Sequence, residues 1–320
     1  MTKLISIESV ASQIFNEKSV AIFTHIRPDG DAIGSSLALF KALKQKGISA
    51  CLYFEEDIPE RFSFITNGNQ IEKILQGEYS AFVSVDCADS LRLGAYMQAF
   101  LNHKNTYSID HHISNLRYAK QNYINDNASN CENIYQLLTS ASVEITKDIA
   151  DCLAMGIMTD TGGFRHKNVT ESTLLTVSKL VKNGADLNEI SYHMFTEQSK
   201  ERAKLFGLVM QKIRYFQQGR FAVITISKET LRNSGARADE TEGFIDFVMG
   251  IKGIEVGASV MEMDNGNYKI SFRSKKADVN AVASTFGGGG HVLASGCQIC
   301  GEYEEVVDKI NFAVSRYIED

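Results

Sequence analysis

The sequence predicts an α/β protein: a parallel sheet with helices on both faces, followed by a smaller α+β domain. Three observations predict it. Short apolar strands in the first half are separated by helical stretches, the pattern of a parallel sheet with crossover helices. Beyond about residue 210 the pattern becomes paired strands, with the hairpin signal "DNGN" at 264–267. The 320 residues suffice for two domains and show no internal repeat.

The elements follow in order. "MTKLISIESVASQIF" reads as an amphipathic first helix, because Ser6, Glu8 and Ser9 interrupt its apolar stretch as no secretory signal would. "KSVAIFTH" is a strand, and a helix from Asp31 to about Lys46 follows, with Leu37, Leu39, Phe40 and Leu43 apolar and Gly47 as its stop. "SACLYFE", "SAFVSVD" and "NTYSID" are the next strands, and "NCENIYQLLTSA" and "KDIADCLAMGIMTD" are helices. From about 170 to 208 the pattern is helical. "KIRYFQQGRFAVITIS" and "EVGASVMEMDNGNYKISFRS" then read as strands, and "EYEEVVDKINFAVSRYIED" as a closing amphipathic helix. The expected domains are 1–190 and 210–320, joined by a helical linker over 191–209.

Composition narrows the function. Apolar residues make up 44%, enough for a real core, and no run approaches the roughly 18 residues of a membrane span. A cytoplasmic protein with no membrane partner is expected. The formal charge of −6 disfavours long nucleic acid, which needs a broad basic face, and favours a small anionic ligand held at one place. The six cysteines are scattered, as free and mostly buried thiols would be. The lone pair Cys297 and Cys300 reads as apolar positions near a strand.

In parallel sheets, ligands gather beyond the carboxyl ends of the strands. Here those ends carry His25, Asp29 and Asp31, then Asp86, then Asp110, His111 and His112. A helical stretch ends at Asp160 in "MTDTGG". Each aspartate alone has a simpler reading: Asp31 as a helix cap, Asp29 as a turn. Together they form a constellation. Imidazole nitrogen with several carboxylates suits manganese, iron, zinc or cobalt better than calcium. Six ligands exceed the needs of one metal, whereas two metals sharing a bridging carboxylate would use them. Such a pair acidifies a bridging water and clamps a phosphoryl group. Far downstream, "TFGGGGHVLASG" (285–296) offers glycine N–H groups before an expected helix, with His291 as a donor. "SFRSKK" adds Arg273, Lys275 and Lys276, and an arginine there suits a terminal phosphate.

These motifs together resemble the DHH phosphoesterase superfamily. "HIRPDGDAIGSSLAL", "VSVDCADSLRLG", the signature "IDHHISN" and "GIMTDTGGFRH" are similar to its four metal motifs, and "FGGGGHVLASG" to the glycine-rich motif of its associated C-terminal domain. The likeness spans nearly the whole chain and is strongest to the nanoRNase and pAp-phosphatase group. It implies two divalent metal ions, with manganese expected. His25 and Asp29 would bind one ion, Asp31, His111 and Asp160 the other, and Asp86 would bridge both. His112 would face the substrate phosphate as donor or acid, with Asp110 orienting a ligand histidine. Arg92 and Asn115 would support the substrate. Arg273, Ser274, Gly288, Gly289, Gly290 and His291 would hold its far end across a cleft between the domains. A hydroxide bridging the metals would attack phosphorus, degrading short RNA oligomers to mononucleotides and 3′-phosphoadenosine 5′-phosphate (pAp) to AMP. Linear pApA is a close candidate substrate, long duplex nucleic acid is not, and a homodimer is compatible with the sequence. Alternatives are a cyclic-di-AMP phosphodiesterase, an exonuclease on short single-stranded DNA, or a nucleotide sensor; retention of all six ligands opposes the sensor. The one departure is "NASNCENIY" (127–135), where many relatives carry a Ser/Thr-rich segment.

Overall fold

The computed structural model describes residues 2–66, 68 and 71–318. Met1 of the expected first helix and residues 319 and 320 of the expected last one lie outside the described residues. The chain divides into two compact units between Glu197 and Gln198.

Among the described residues the first unit holds seven strands: Lys3–Leu4 (β1), Ser19–Phe23 (β2), Ser49–Tyr53 (β3), Ile71–Glu72 (β4), Ala81–Val85 (β5), Thr106–Asp110 (β6) and Gln121–Ile124 (β7). All pairings are parallel, in the order β1-β7-β6-β5-β2-β3-β4. The helices are Ile7–Ile14 (α1), Gly30–Gln45 (α2), Ser63–Thr66 (α3), Met97–Asn102 (α4), Asn130–Ser140 (α5), Lys147–Asp160 (α6), Glu171–Lys182 (α7) and Leu187–Ser191 (α8). Strand β2 reads as an apolar run because both its faces are covered. Val20 and Ile22 pack with residues of α1, α2, α5 and α6. Ala21 and Phe23 face the other way, into a cluster with Tyr53, Phe82, Tyr96 and Phe100. From β2 the chain adds β3 and β4 on one side, then β5, β6 and β7 on the other. The order therefore reverses between β2 and β5, and the carboxyl ends of these two neighbours lead into His25 and Asp86. That is the place where open α/β sheets bind ligands.

Three strands of this unit, β1, β4 and β7, were not foreseen in the sequence. Strands β1 and β4 are two residues each, and β7 ("QNYI") carries no apolar run. The first helix is shorter than expected: Ser6 caps it, accepting from Ser9 N, while Lys3–Leu4 pairs with β7.

The second unit contains Lys200–Met210 (α9), Arg214–Phe216 (β8), Phe221–Ile226 (β9), Lys228–Ser234 (α10), Phe244–Gly250 (α11), Val256–Glu262 (β10), Asn267–Ser274 (β11), Val279–Ser284 (α12), Gly289–His291 (β12), Ala294–Cys300 (β13) and Tyr303–Ser315 (α13). Its sheet runs β12-β13-β11-β10-β9-β8, and β9 and β10 pair in parallel while the other pairs are antiparallel. Helices α12 and α13 cover one face. On the other, Leu205 and Val209 of α9 are buried with Phe244 and Val248 of α11, so the end of the expected 191–209 linker is packed into this unit's core.

The glycine run departs from its expected setting. No helix follows it. Gly289–His291 forms an edge strand paired to β13, with His291 opposite Ala294 across the two-residue loop Val292–Leu293. Gly288 is required there, because a Cβ would overlap Gly296 O and the backbone of Cys297. The six cysteines are free; Cys297 is buried and Cys300 exposed, both on β13. Among the described residues, no helix is long and apolar enough to cross a membrane.

Candidate metal centre

Asp29 is the N-cap of α2, and its Oδ1 accepts from Asp31 N and Ala32 N, both at 3.1 Å. Its other oxygen, Oδ2, faces His25 Nε2 at 3.7 Å. One carboxylate thus caps a helix and still presents a free oxygen. Asp31 is fully buried in the first turn of α2, and the helix it caps is α5. Its carboxylate accepts from Ser129 Oγ at 2.8 Å, Cys131 N at 2.9 Å and Asn130 N at 2.5 Å. The positive end of α5 holds this charge in place. The segment "NASNCEN", which departs from the Ser/Thr pattern, therefore supplies the cradle of Asp31.

Asp86 directly follows β5 with φ of 52°, a left-handed conformation that is uncommon for a residue with a side chain. Its Oδ2 lies 3.7 Å from His25 Nε2, and its Oδ1 lies 3.5 Å from His111 Nε2. His111 Nε2 is also 3.8 Å from Asp31 Oδ2 and 3.5 Å from Asp160 Oδ2. The ligand atoms fall into two groups, His25 with Asp29 and Asp86, and Asp31 with His111 and Asp160. Asp86 faces the histidines of both. A third group of atoms joins Asp86, Asp110, His111 and His112. The Asp110 carboxylate is already engaged. Its Oδ1 accepts from His111 N (2.8 Å) and His112 Nδ1 (2.8 Å), and its Oδ2 accepts from Asn115 Nδ2 (2.6 Å). Asp110 thus holds the side chain of His112 and the main chain of His111.

The donor set fits divalent metal. His111 Nδ1 is 3.0 Å from Asn127 O and His25 Nδ1 is 2.8 Å from Ile26 O, so each ring turns Nε2 inward toward carboxylates. Asp86 Oδ1 is buried without a hydrogen-bond partner. Arg92 Nη2 stands 3.0 Å from His25 Nδ1 and brings a cation to the edge of the first group. Asn115 is buried and spends its amide on Asp110 and Cys87 O, so it supports Asp110.

Without metal the carboxylates repel one another. Burial, then the charge of Asp86, pushes Asp31 up to about 7. Burial and the charges of Asp31 and Asp86 push Asp160 up to about 9. Burial opposes protonation of His25 and His111, but the neighbouring carboxylates outweigh it and raise both to about 10. All four groups hold protons more tightly folded than unfolded, so stability is lost as pH rises, for Asp31 and Asp160 from about 4 to 7 and 9, for the histidines from 6.5 to about 10. The metal-free chain should melt progressively lower from pH 6 to 9. Added divalent metal should raise the melting temperature more at pH 8.5 than at pH 6, because binding displaces these protons. An equal rise at both values would contradict this proton competition.

Helices α2 and α6 must pass closely for Asp31 and Asp160 to meet. A Cβ on Gly156 would overlap Cys131 Sγ and stand 2.8 Å from Asp31 Oδ1. Gly156→Ala should therefore cost about 1–3 kcal/mol and weaken metal binding. Thermal melts with and without metal check this, and an unchanged melting temperature would contradict it.

In the second unit, Arg273 lies on β11 and, with Lys269, Ser271 and Ser259, lines a cavity of about 250 Å³. Ser274 Oγ accepts from Lys276 N. Gly289, Gly290 and His291 are exposed on the edge strand.

Residues 19–157 match the model described as DHH family, N-terminal domain, and residues 218–320 match the DHHA1 domain. The chain belongs to the DHH phosphoesterase family. It is 30% identical over 313 residues to the bifunctional oligoribonuclease and PAP phosphatase NrnA of Thermus thermophilus, covering 94% of this chain and 91% of that one. It is 27% identical to the protein of the same name from Bacillus subtilis, covering 88% and 89%. Among solved structures it resembles an exopolyphosphatase-related protein from Bacteroides fragilis, with TM-score 0.85, 25% identity and coverage of 99% and 98%. This DHH enzyme has a cluster of acidic and imidazole groups able to hold metal ions. Sequence reasoning missed Asn127, whose carbonyl faces His111 Nδ1, Ser129, which donates to Asp31, and Asn133, whose Nδ2 donates to Asp110 O. Their only signal was the asparagine-rich run at the start of α5.

Proposed function

We propose that this enzyme is a manganese-dependent phosphohydrolase that degrades short RNA oligomers to mononucleotides and dephosphorylates pAp to AMP. The observation that carries the reading is the pair of ligand groups whose histidines Asp86 faces, with His112 beside them and its Nδ1 engaged by Asp110. The names of the Thermus and Bacillus relatives support the substrates. Bound there, two divalent ions would supply an acidic water and offset the charge of the phosphoryl oxygens.

The chain's own residues then have separate tasks. His25, Asp29, Asp31, Asp86, His111 and Asp160 fix the ions. His112 donates Nδ1–H to Asp110, which leaves Nε2 for the substrate. The hydrogen bond to Asp110 raises the His112 pKa, which favours the protonated ring that a donor to the leaving oxygen needs. Arg92 offers a cation beside the first ligand group. Arg273, Ser274, Gly288, Gly289, Gly290 and His291 bind the far end of the substrate, which confines the enzyme to short chains.

Arg273→Ala should raise KM for a dinucleotide roughly 10-fold or more, as loss of a charged phosphate contact implies, and leave bound metal unchanged. Unchanged kinetics or loss of metal would contradict the assignment. The function itself is tested by initial rates with manganese on pAp, pApA, RNAs of two to five residues, cyclic di-AMP, short single-stranded DNA and pyrophosphate. Short RNA and pAp are expected to lead, and pyrophosphate as the best substrate would overturn the reading.

A further inference from the structure

We infer that Asn168 is a positioning residue for one metal subsite only, the one formed by Asp31, His111 and Asp160; this rests on the two-metal reading above. Asn168 lies in the loop between α6 and α7 and belongs to none of the motifs in the sequence. Its Nδ2 donates to two carbonyls from different parts of the fold, Ala128 O at 3.0 Å and Asp160 O at 3.3 Å.

Both carbonyls matter. Asp160 is the last residue of α6, and its carbonyl has no partner within the helix. His166 Nδ1, at 3.2 Å, is its other donor. Ala128 sits between two residues that orient metal ligands. Asn127 O, before it, faces His111 Nδ1. Ser129, after it, donates its Oγ to Asp31 Oδ1 and caps α5. One amide group thus ties the main chain of Asp160 to the loop that aims His111 and Asp31. His25, Asp29 and Asp86 are held by other means: Ile26 O, the start of α2 and the end of β5. Loss of the tie should therefore loosen one subsite and spare the other.

The segment carrying Asn168 keeps other anchors. Thr170 and Thr173 form a capping box on α7, and Thr173 Oγ1 donates to Glu132 Oε1 at 2.9 Å. A change at Asn168 should leave the fold intact. Asn168→Asp retains the shape but replaces the donor by an acceptor facing two carbonyls and adds a negative charge, so Asn168→Ala, which removes the donor without adding charge, is measured beside it and should weaken the same ion.

The test is Mn2+ binding to the full chain by calorimetry, with electron paramagnetic resonance to detect spin-coupled pairs. Wild type should take up two ions per chain and show a coupled signal. Asn168→Asp should weaken one ion roughly 10- to 100-fold, the usual effect of losing a residue that orients ligands, and convert the coupled signal to that of a single ion at intermediate metal. His166→Ala, which leaves the bond to Ala128 in place, should change affinity less. Equal weakening of both ions, or no weakening, in a variant with wild-type circular dichroism would overturn the role of Asn168. A wild type that binds only one ion would overturn the two-metal reading itself, and would be seen before any variant is compared.

Discussion

Asp86→Ala is expected to abolish phosphoester hydrolysis, with kcat lowered at least roughly 10³-fold, since losing metal-assisted charge stabilisation removes several kcal/mol from the transition state. Asp86 faces the histidines of both ligand groups, at 3.7 Å and 3.5 Å, and its Oδ1 has no hydrogen bond to lose. Its interactions with His111 and His25 outweigh burial and hold its carboxyl far below the ordinary carboxylate range. The substitution should therefore also lower the pKa of both histidines and reduce manganese uptake below two ions per chain. Residual activity within tenfold of wild type would contradict the shared-ligand role.

His112→Ala is expected to lower kcat by about 10²–10⁴-fold, the span of a lost general acid, with manganese binding retained. The separation is the point: His112 is adjacent to the ligands in sequence, and its ring lies 4.4 Å from that of His111, yet its Nδ1 belongs to Asp110. Asp110→Asn adds a distinct signature. His111 N, His112 N, His112 Nδ1 and Asn115 Nδ2 all donate to the Asp110 carboxylate, so an amide there would point its own N–H groups at donors. The His112 pKa should fall, and the alkaline limb of the rate profile should move to lower pH. Loss of both metals in His112→Ala would contradict a role outside the inner ring.

The parts of this molecule that were legible in the sequence are those with strong local patterns. The runs "SVAIF" and "AFVSV" announce buried parallel strands because both faces need apolar side chains. The aspartates and histidines stand out because charged groups at the ends of such strands are otherwise costly. Strand β7 was not legible, since a four-residue polar strand gains its place from its neighbours β1 and β6 and not from its composition. The glycine run misled for a related reason. Glycine permits both a loop before a helix and an edge strand, and only the contact of Gly288 with β13 decides between them. At the site, Asp29 and Asp31 each admit a cap reading and a ligand reading, and their hydrogen bonds leave room for both. Asp29 caps α2 with one oxygen and faces His25 with the other, while Asp31 is bound by the start of a helix about 100 residues away. Such a partnership leaves no local trace. Asn127 and Ser129 act through main-chain position and a hydroxyl, which no ligand motif records.

The most direct test of the two-subsite centre is the anomalous diffraction of a crystal of the full chain grown with Mn2+. Two peaks are expected, one among His25, Asp29 and Asp86 and one among Asp86, Asp31, His111 and Asp160, with none at His112 Nε2. A single peak, or a peak bound by Asp110 and His112, would contradict the account.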